Sequence, residues 1–364
     1  MLTCSVFEEI ERSGKRMEKK VLVALSGGVD SAACARLLLD AGYEVAGCVL
    51  KMSPAHEGTV EDAKLTAEQL GIPLYVRDMQ ADFRQVIGYF MGEYASGRTP
   101  NPCVVCNPTV KFKGMLAAAD ELGYPYIATG HYAGLRREGD RVYLTRGASA
   151  ARDQSYMLCR LTQRELSRLI FPLSEMQKPD VRTLAEEAGL SCAGKPDSQE
   201  ICFIPDGDYA GYIEARLGKS PEGDFISPDG KPCGRHKGII HYTVGQRKKL
   251  GIALGKPVFI RRIDPGENRI YLAWGGDEYD SGMTVSGLSE TFPGAFRDGM
   301  RCGVKIRSRA AIAPCTLTLL GDGRAKVVFD RPERAPAAGQ TAAFYDGEVV
   351  LGGGFIDSEM KNED

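Results

Sequence analysis

Three stretches of this sequence have residue types and spacings suited to chemistry. The first is Ser26-Gly27-Gly28-Val29-Asp30-Ser31, which follows the apolar run Val21 to Leu25 and precedes a helical pattern. Its two glycines let backbone N–H groups approach an anion without a Cβ in the way, its serines offer hydroxyls, and the helix that follows presents a positive N-terminus. Such a turn is built to hold a phosphate. A carboxylate at Asp30 repels phosphate unless a divalent cation such as Mg²⁺ lies between them. The spacing matches neither Gly-x-Gly-x-x-Gly nor the lysine-bearing P-loop. The second stretch places Cys103 and Cys106 three residues apart within Gly97 to Asn107, whose prolines predict a rigid loop. The third, Asp197 to Pro205, carries Cys202. Thiolates are nucleophiles and soft-metal ligands, so the three cysteines form a potential set.

The rest of the chain must position these groups. With 364 residues it is long enough for two or three domains of roughly 100–200 residues each. Its 46 basic and 48 acidic residues leave a net charge of −2, which excludes a global basic field for nucleic acid or an anionic membrane. Any polyanion must meet local patches. A 43% hydrophobic and 26% charged composition excludes a largely disordered chain, and no apolar run approaches the ~18 residues of a membrane span. Residues Met1 to Lys20 are charged and lack the apolar core of a signal peptide, so a cytoplasmic location is expected. Eleven cysteines are too dilute for a disulfide scaffold. Cys4, Cys34, Cys48, Cys159, Cys192, Cys233, Cys302 and Cys315 read as structural or incidental.

From Lys20 strands and helices alternate: strands at Val21 to Leu25, Glu44 to Leu50, Pro73 to Arg77 and Tyr126 to Thr129, and helices through Ala33 to Leu39, Val60 to Leu70, Asp82 to Tyr94 and Phe112 to Leu122. Such alternation implies a parallel sheet covered by helices. Further helices are predicted over Gln163 to Ile170 and Pro179 to Ala188. Beyond Phe203 the composition turns β-rich, with strands expected at Gly238 to Thr243, Pro257 to Ile263, Met283 to Leu288, Arg301 to Ile306, Thr316 to Leu320, Ala325 to Phe329, Thr341 to Tyr345 and Glu348 to Phe355. The predicted class is α/β: a parallel-sheet N-terminal domain, then two small β-rich domains, the last a β-barrel. The expected divisions are an extension over 1–19 and domains over 20–204, 205–275 and 276–364, with a frayed tail from Asp357 to Asp364. Two basic runs lack any carboxylate, Lys231 to Ile263 with nine basic residues and Gly299 to Leu320 with Arg301, Lys305, Arg307 and Arg309. Each is either a solvated face or a footprint for phosphates of a folded RNA.

The glycine-serine turn resembles the pyrophosphate loop of the ATP pyrophosphatase superfamily, in which a carbonyl oxygen is adenylated and pyrophosphate released. The loop implies activation but leaves the acceptor open. An amide-forming enzyme would need neither Cys106 nor Cys202, and an RNA-binding redox sensor would keep the loop only as a nucleotide switch. From Lys20 to Ile356, however, the chain resembles the tRNA-specific 2-thiouridylases. The resemblance rests on Ala24 to Ser31, Asn101 to Asn107, Ala128-Thr129-Gly130-His131-Tyr132, Arg152-Asp153-Gln154-Ser155-Tyr156, Ser198 to Phe203, His236-Lys237-Gly238 with Tyr242 to Arg247, and Gly339-Gln340.

This resemblance implies an adenine nucleotide alpha hydrolase-like fold and ATP, with Mg²⁺, on Ala24, Leu25, Ser26, Gly27, Gly28, Val29, Asp30 and Ser31, its adenine side meeting Leu50 and Gly130. It implies target-base contacts at Asn101, Pro102 and Cys103, and tRNA contacts at His131, Arg152, Asp153, Gln154, Arg307, Ser308 and Gln340. His131 capping a turn and Arg152 pairing with Asp153 are the plainer readings. The implied reaction adenylates the C2 oxygen of the wobble uridine and replaces it with sulfur, in tRNAs for Lys, Glu and Gln, with a donor such as a cysteine desulfurase-fed relay and no membrane partner. Cys106 is then the nucleophile and Cys202 the persulfide carrier, the two able to pair as a disulfide, with Lys111 or Lys113 favouring thiolates. Many family members carry Asp where this chain has Cys103. Cys103, Cys106 and Cys202 together resemble the ligands of a [4Fe–4S] cluster with one open iron, so a cluster and a persulfide route both stay open. A closed zinc site lacks a fourth ligand at the usual spacing.

Overall fold

A computed structural model describes residues 18–196 and 201–360. The expectations placed on 1–17, on Asp197 to Glu200 and on 361–364 lie outside the described residues.

Strand β1 (Lys20–Ala24) is the central strand of the first unit, and its Val21, Leu22 and Val23 have no exposed surface, as expected where helices cover both faces of a parallel sheet. It is followed by α1 (Val29–Asp40), β2 (Glu44–Lys51), α2 (Glu57–Leu70), β3 (Leu74–Asp78), α3 (Gln80–Ala95), α4 (Pro102–Cys106), α5 (Phe112–Leu122) and β4 (Tyr126–Ala128). Next come a hairpin of β5 (Ala133–Glu138) and β6 (Arg141–Arg146), short helices α6 (Ser155–Leu158) and α7 (Gln163–Leu166), then β7 (Leu169–Ile170) and α8 (Lys178–Glu187). The sheet order is β3-β2-β1-β4-β7, all parallel. The chain winds outward from β1 to β3 and then returns to β4 on the other side. The order reverses beside β1, so the carboxyl end of β1 opens on the crevice where such sheets bind ligands.

Helix α9 (Tyr209–Leu217) leads into a four-stranded sheet of β8 (Gly223–Ile226), β9 (Pro232–His236), β10 (Val258–Asp264) and β11 (Arg269–Trp274), in the order β10-β11-β8-β9. The last unit comprises β12 (Tyr279–Glu290), β13 (Met300–Lys305), β14 (Ala313–Gly321), β15 (Arg324–Arg334), β16 (Thr341–Asp346) and β17 (Val349–Met360). These six run β12-β15-β14-β13-β16-β17, and β17 pairs back onto β12 to close a barrel. The β5–β6 hairpin joins the outside of that barrel through Val349 opposite Thr145.

The units share one apolar core. Phe83, Phe90 and Phe112 of the first unit, Phe225 and Ile260 of the second, and Tyr345 and Val350 of the barrel belong to a single buried cluster. Tyr156 donates its hydroxyl hydrogen bond to the Thr341 carbonyl at 2.9 Å, so even the polar tip of this buried side chain is satisfied across the seam.

Four local expectations are corrected. Gly238 to Thr243 is not a strand but holds a 3-10 turn, Ile239–His241. Helix α7 stops at Leu166, and Leu169–Ile170 is an edge strand of the parallel sheet. The Cys103–Cys106 segment is helical rather than a loop, because Asn101 caps it by accepting from the Cys103 N–H at 3.2 Å and Pro102 fits a first helical turn. The tail is paired as far as Met360, opposite Gly282, rather than frayed from Asp357. Strands β5, β6, β8, β9 and β11 were not anticipated.

Strand β17 packs closely where it meets the first unit. A Cβ on Gly353 would lie 2.4 Å from Cys159 Sγ and 3.1 Å from the Ala342 carbonyl oxygen. Gly353→Ala is therefore expected to destabilise the protein by about 1–3 kcal/mol in thermal unfolding. Gly88→Ala, inside α3 with open space around it, should shift the transition the other way by roughly 0.5–1 kcal/mol.

Candidate active site

The turn after β1 is held by its own hydroxyls. Ser31 Oγ donates to the Gly28 carbonyl at 2.9 Å and accepts from the Ser26 N–H at 3.1 Å, while Ser26 Oγ lies 3.2 Å from Ser31 Oγ. Gly27 adopts φ +69°, and a Cβ there would fall 2.3 Å from the Asp62 Cβ. Only glycine suits this position. The loop floors a cleft of about 440 Å³ whose lining includes Ala24 to Gly28, Asp30, Ser31, Leu50, Lys111, Gly130, His131, Gln154, Lys195 and Cys202. Asp30 accepts two hydrogen bonds from Lys178 Nζ at 2.7 and 2.8 Å and one from the Tyr132 hydroxyl at 2.8 Å. Lys195 pairs with Asp62 at 2.6 Å beside the same cleft.

Cys202 lines this cleft, and Cys103 and Cys106 lie on the helical segment that leads to Lys111 in its wall. Cys106 ends α4 and is buried. After it the helix widens into a π turn, Asn107–Lys111. Such widened turns are frequent at functional sites. Asn107, itself buried, anchors the turn by donating to the Met157 carbonyl at 2.8 Å. Cys202 comes from the other side, fixed by its neighbour Phe203, whose ring packs edge-on against Phe83 and Phe90 at 5.5 and 5.3 Å. Cys103 and Cys202 keep solvent contact, yet crowding by protein raises both thiols. Burial pushes Cys106 up to about 12 and Cys202 up to about 11; Cys103 also rises. Cys106 interacts electrostatically with Cys103 and Cys202, and Lys111 is the cation that opposes the rise at all three. The cleft floored by the glycine-serine loop thus has one of the three thiols, Cys202, together with Lys111 in its wall.

Comparison with known proteins matches three family models in chain order: a tRNA methyl transferase HUP domain over residues 19–206, a tRNA methyl transferase PRC-barrel domain over 210–274 and an aminomethyltransferase beta-barrel domain over 285–356. The tRNA-specific 2-thiouridylase MnmA of Acetivibrio thermocellus is 43% identical over 93% of this chain and 99% of its own, and that of Lachnoclostridium phytofermentans is 42% identical over 93% and 99%. The chain belongs to the tRNA-specific 2-thiouridylase family. Among solved structures, NMN synthetase from Francisella tularensis aligns with 53% of this chain and 73% of its own at 15% identity, with a TM-score of 0.34.

This thiouridylase is a sulfurtransferase acting on tRNA. Among its described residues no helix is long and apolar enough to cross a membrane. The anticipated tRNA-facing residues divide into two kinds. His131 and Gln154 line the cleft. His131 Nδ1 lies 2.7 Å from Thr129 Oγ1, and burial beside Lys111 holds the ring well below its ordinary range and therefore neutral. Gln154 clasps Tyr132 twice, accepting from its N–H at 2.9 Å and donating its own N–H to the Tyr132 carbonyl at 2.9 Å. Others brace the scaffold. The Asp153 side chain is only 1% exposed, accepts from the Gly147 and Ser155 N–H groups, and stands between Arg146 and Lys305 at 3.6 and 3.7 Å. Arg307 donates to the Arg334 and Ala335 carbonyls, and Gln340 donates to the Thr99 carbonyl at 2.9 Å. Val29 faces an apolar cluster behind the loop. Asn101, Pro102, Cys103, Cys106, Arg152, Arg307, Ser308 and Gln340 do not line the cleft.

The basic runs are less bare in space than in sequence. Arg235 pairs with Asp224, Arg261 with Asp280, Arg262 with Asp264, Arg301 with Asp330 and Lys305 with Asp153. Lys231, Lys237, Arg247, Lys248, Lys249 and Lys256 remain exposed.

Among the described residues no three of His, Cys, Asp and Glu are gathered as a metal-ligating group. Cys103, Cys106 and Cys202 are accordingly not gathered as a [4Fe–4S] ligand set in this structure. The loop does fit a phosphate and its counter-cation. Sequence reasoning missed Lys178, Tyr132 and Lys195. Lys178 had a signal: it begins α8, where a cation opposes the helix dipole and needs another reason to be there.

Two outcomes test the site. Gly27→Ala should weaken ATP binding by about tenfold or more, ~1.4 kcal/mol, in calorimetric titration. Because burial raises the thiols, iodoacetamide alkylation of Cys103 and Cys202 in nucleotide-free protein should climb with pH without a plateau below roughly pH 9. A plateau near neutrality would show thiolates already formed.

Proposed function

We propose that this thiouridylase first adenylates and then thiolates the wobble uridine, position 34, of tRNAs for Lys, Glu and Gln, at one shared cleft. ATP lies with its phosphates on Ala24 to Ser31 and its adenine against Leu50 and Gly130. Mg²⁺ beside Asp30 would offset the charge between that carboxylate and the phosphates. Lys178 already partners Asp30, so the carboxylate is oriented before nucleotide arrives. The target base meets Asn101, Pro102 and Cys103, while His131, Arg152, Gln154, Arg307, Ser308 and Gln340 face tRNA. Asp153, with its buried side chain, acts by holding its neighbours.

The chemistry follows from what C2 of uracil lacks. The C2 oxygen attacks the α-phosphorus of ATP and expels pyrophosphate, so a poor leaving oxygen becomes part of AMP. The terminal sulfur of a persulfide on Cys202 then bonds to C2 and AMP departs. Cys106, as thiolate, attacks Cys202 Sγ and breaks the S–S bond, releasing 2-thiouridine and leaving a Cys106–Cys202 disulfide that an external dithiol must reduce before a relay reloads Cys202. Cys103 is an accessory thiol near the base.

The observation that carries this reading is the placement of Cys202 and Lys111 in the wall of the cleft floored by the glycine-serine loop, with Cys106 on the helical segment that runs into Lys111. It also favours sulfur transfer over an amide-forming reaction, which has no use for either thiol.

Cys106→Ser and Cys202→Ser are each expected to release pyrophosphate from ATP in the presence of tRNA, yet to form 2-thiouridine roughly 10³-fold or more slowly. Cys103→Ala should stay within about tenfold of wild type, ~1.4 kcal/mol of barrier. Nucleoside analysis and pyrophosphate release measured on the same reactions decide the matter. Thiolation retained in Cys202→Ser would overturn the persulfide role.

A further inference from the structure

A second pair of thiols lies in the barrel. Strands β13 and β14 pair antiparallel with Cys302 directly opposite Cys315, and their Sγ atoms are 3.7 Å apart. The two are unlike. Cys315 has no exposed surface and packs in the barrel core, whereas Cys302 is only half-buried and is reachable from solvent. Arg301, the residue before Cys302, lies close enough to act on both sulfurs, with Asp346 opposing it at Cys302 and Asp330 at Cys315.

We propose that Cys302 and Cys315 form a thiol–disulfide exchange site for low-molecular-weight disulfides, separate from the thiols that carry sulfur to tRNA. The accessible thiol attacks and the buried one resolves. Cys302, as thiolate, attacks one sulfur of the external disulfide, forming a mixed disulfide and releasing one thiolate. The thiolate released in the first step takes up the Cys315 proton, and Cys315 attacks Cys302 Sγ and expels the second thiolate, which is protonated in solvent. Two protein thiols are oxidised and one external disulfide is reduced to two thiols, so atoms and electrons balance. The order matches the electrostatics: the contact with Cys315 and the Arg301 charge draw the Cys302 thiol down, while that same contact and burial push Cys315 up.

The bond so formed is easily reversed. Directly opposite residues of antiparallel strands hold their Cβ atoms ~4.5–5.5 Å apart, whereas a relaxed disulfide prefers about 3.8 Å. Closure must draw the strands together, and strained disulfides are the labile ones. The cross-link would tie the base of the hairpin that carries Arg307 and Ser308 between β13 and β14.

The test uses the reduced full-length protein, equilibrated with mixtures of oxidised and reduced glutathione and mapped by differential alkylation and mass spectrometry. The expected result is joint loss of the Cys302 and Cys315 thiols into one cross-linked peptide, lighter by two hydrogens, free of glutathione and restored by a dithiol. In Cys315→Ser, Cys302 should instead retain glutathione. The proposal is overturned if wild-type Cys302 keeps glutathione while Cys315 stays reduced, or if both remain reduced in mixtures that oxidise Cys103. Should Cys315→Ser fail to fold by circular dichroism, the wild-type cross-link decides alone.

Discussion

The thiol-bearing helix depends on hydrogen bonds that cross from the barrel to the parallel-sheet unit. The Thr99 N–H donates to the Ala338 carbonyl at 2.8 Å, Gln340 returns a bond to the Thr99 carbonyl, and Arg98 reaches the Ile356 carbonyl at 3.3 Å. A five-residue helix such as α4 has no stability of its own. It exists because Asn101 caps it, the π turn continues it, and the barrel holds the strand of chain that enters it. The barrel is thus part of the frame that holds the thiol-bearing helix. Phe203 does the same for the other thiol, wedged among rings that belong to the first unit and to α9.

Placing three thiols against a packed wall has an electrostatic cost that the site only partly offsets. Low dielectric disfavours thiolates, and Lys111 is the cation acting on all three. The thiols therefore rest protonated, which suits groups that must not react before a base has been activated. At the other side of the cleft the balance is reversed. Asp30 is oriented by and paired with a lysine that has little access to water. One half of the cleft is poised and the other is held back.

Much of this was legible in the sequence. The β1 loop and its glycines were readable because a phosphate site needs small residues at fixed positions within a short span, and the alternation of strands and helices follows from apolar periodicity. The barrel was readable as a class. What escaped were features made by distant pairing. Strands β8 and β9 are short, and glycine, proline and charge interrupt their pattern. The β5–β6 hairpin lies between the Ala128 to Tyr132 and Arg152 to Tyr156 blocks, in a stretch to which no element was assigned. Lys231 to Ile263 looked free of carboxylates because Asp224, Asp264 and Asp280 lie just outside it in sequence and beside it in space. Cys302 and Cys315 looked incidental because the antiparallel register that sets them face to face appears only once the barrel closes.

Barrel closure has a consequence for biosynthesis. The seam is made by β12 and β17, the first and last barrel strands, and β17 also supplies the Ile356 carbonyl that Arg98 grips. The ribosome delivers the glycine-serine loop and Cys103, Cys106 and Cys202 long before it delivers β17. Until then the thiol helix lacks its brace. Completion of translation itself becomes the step that supplies it.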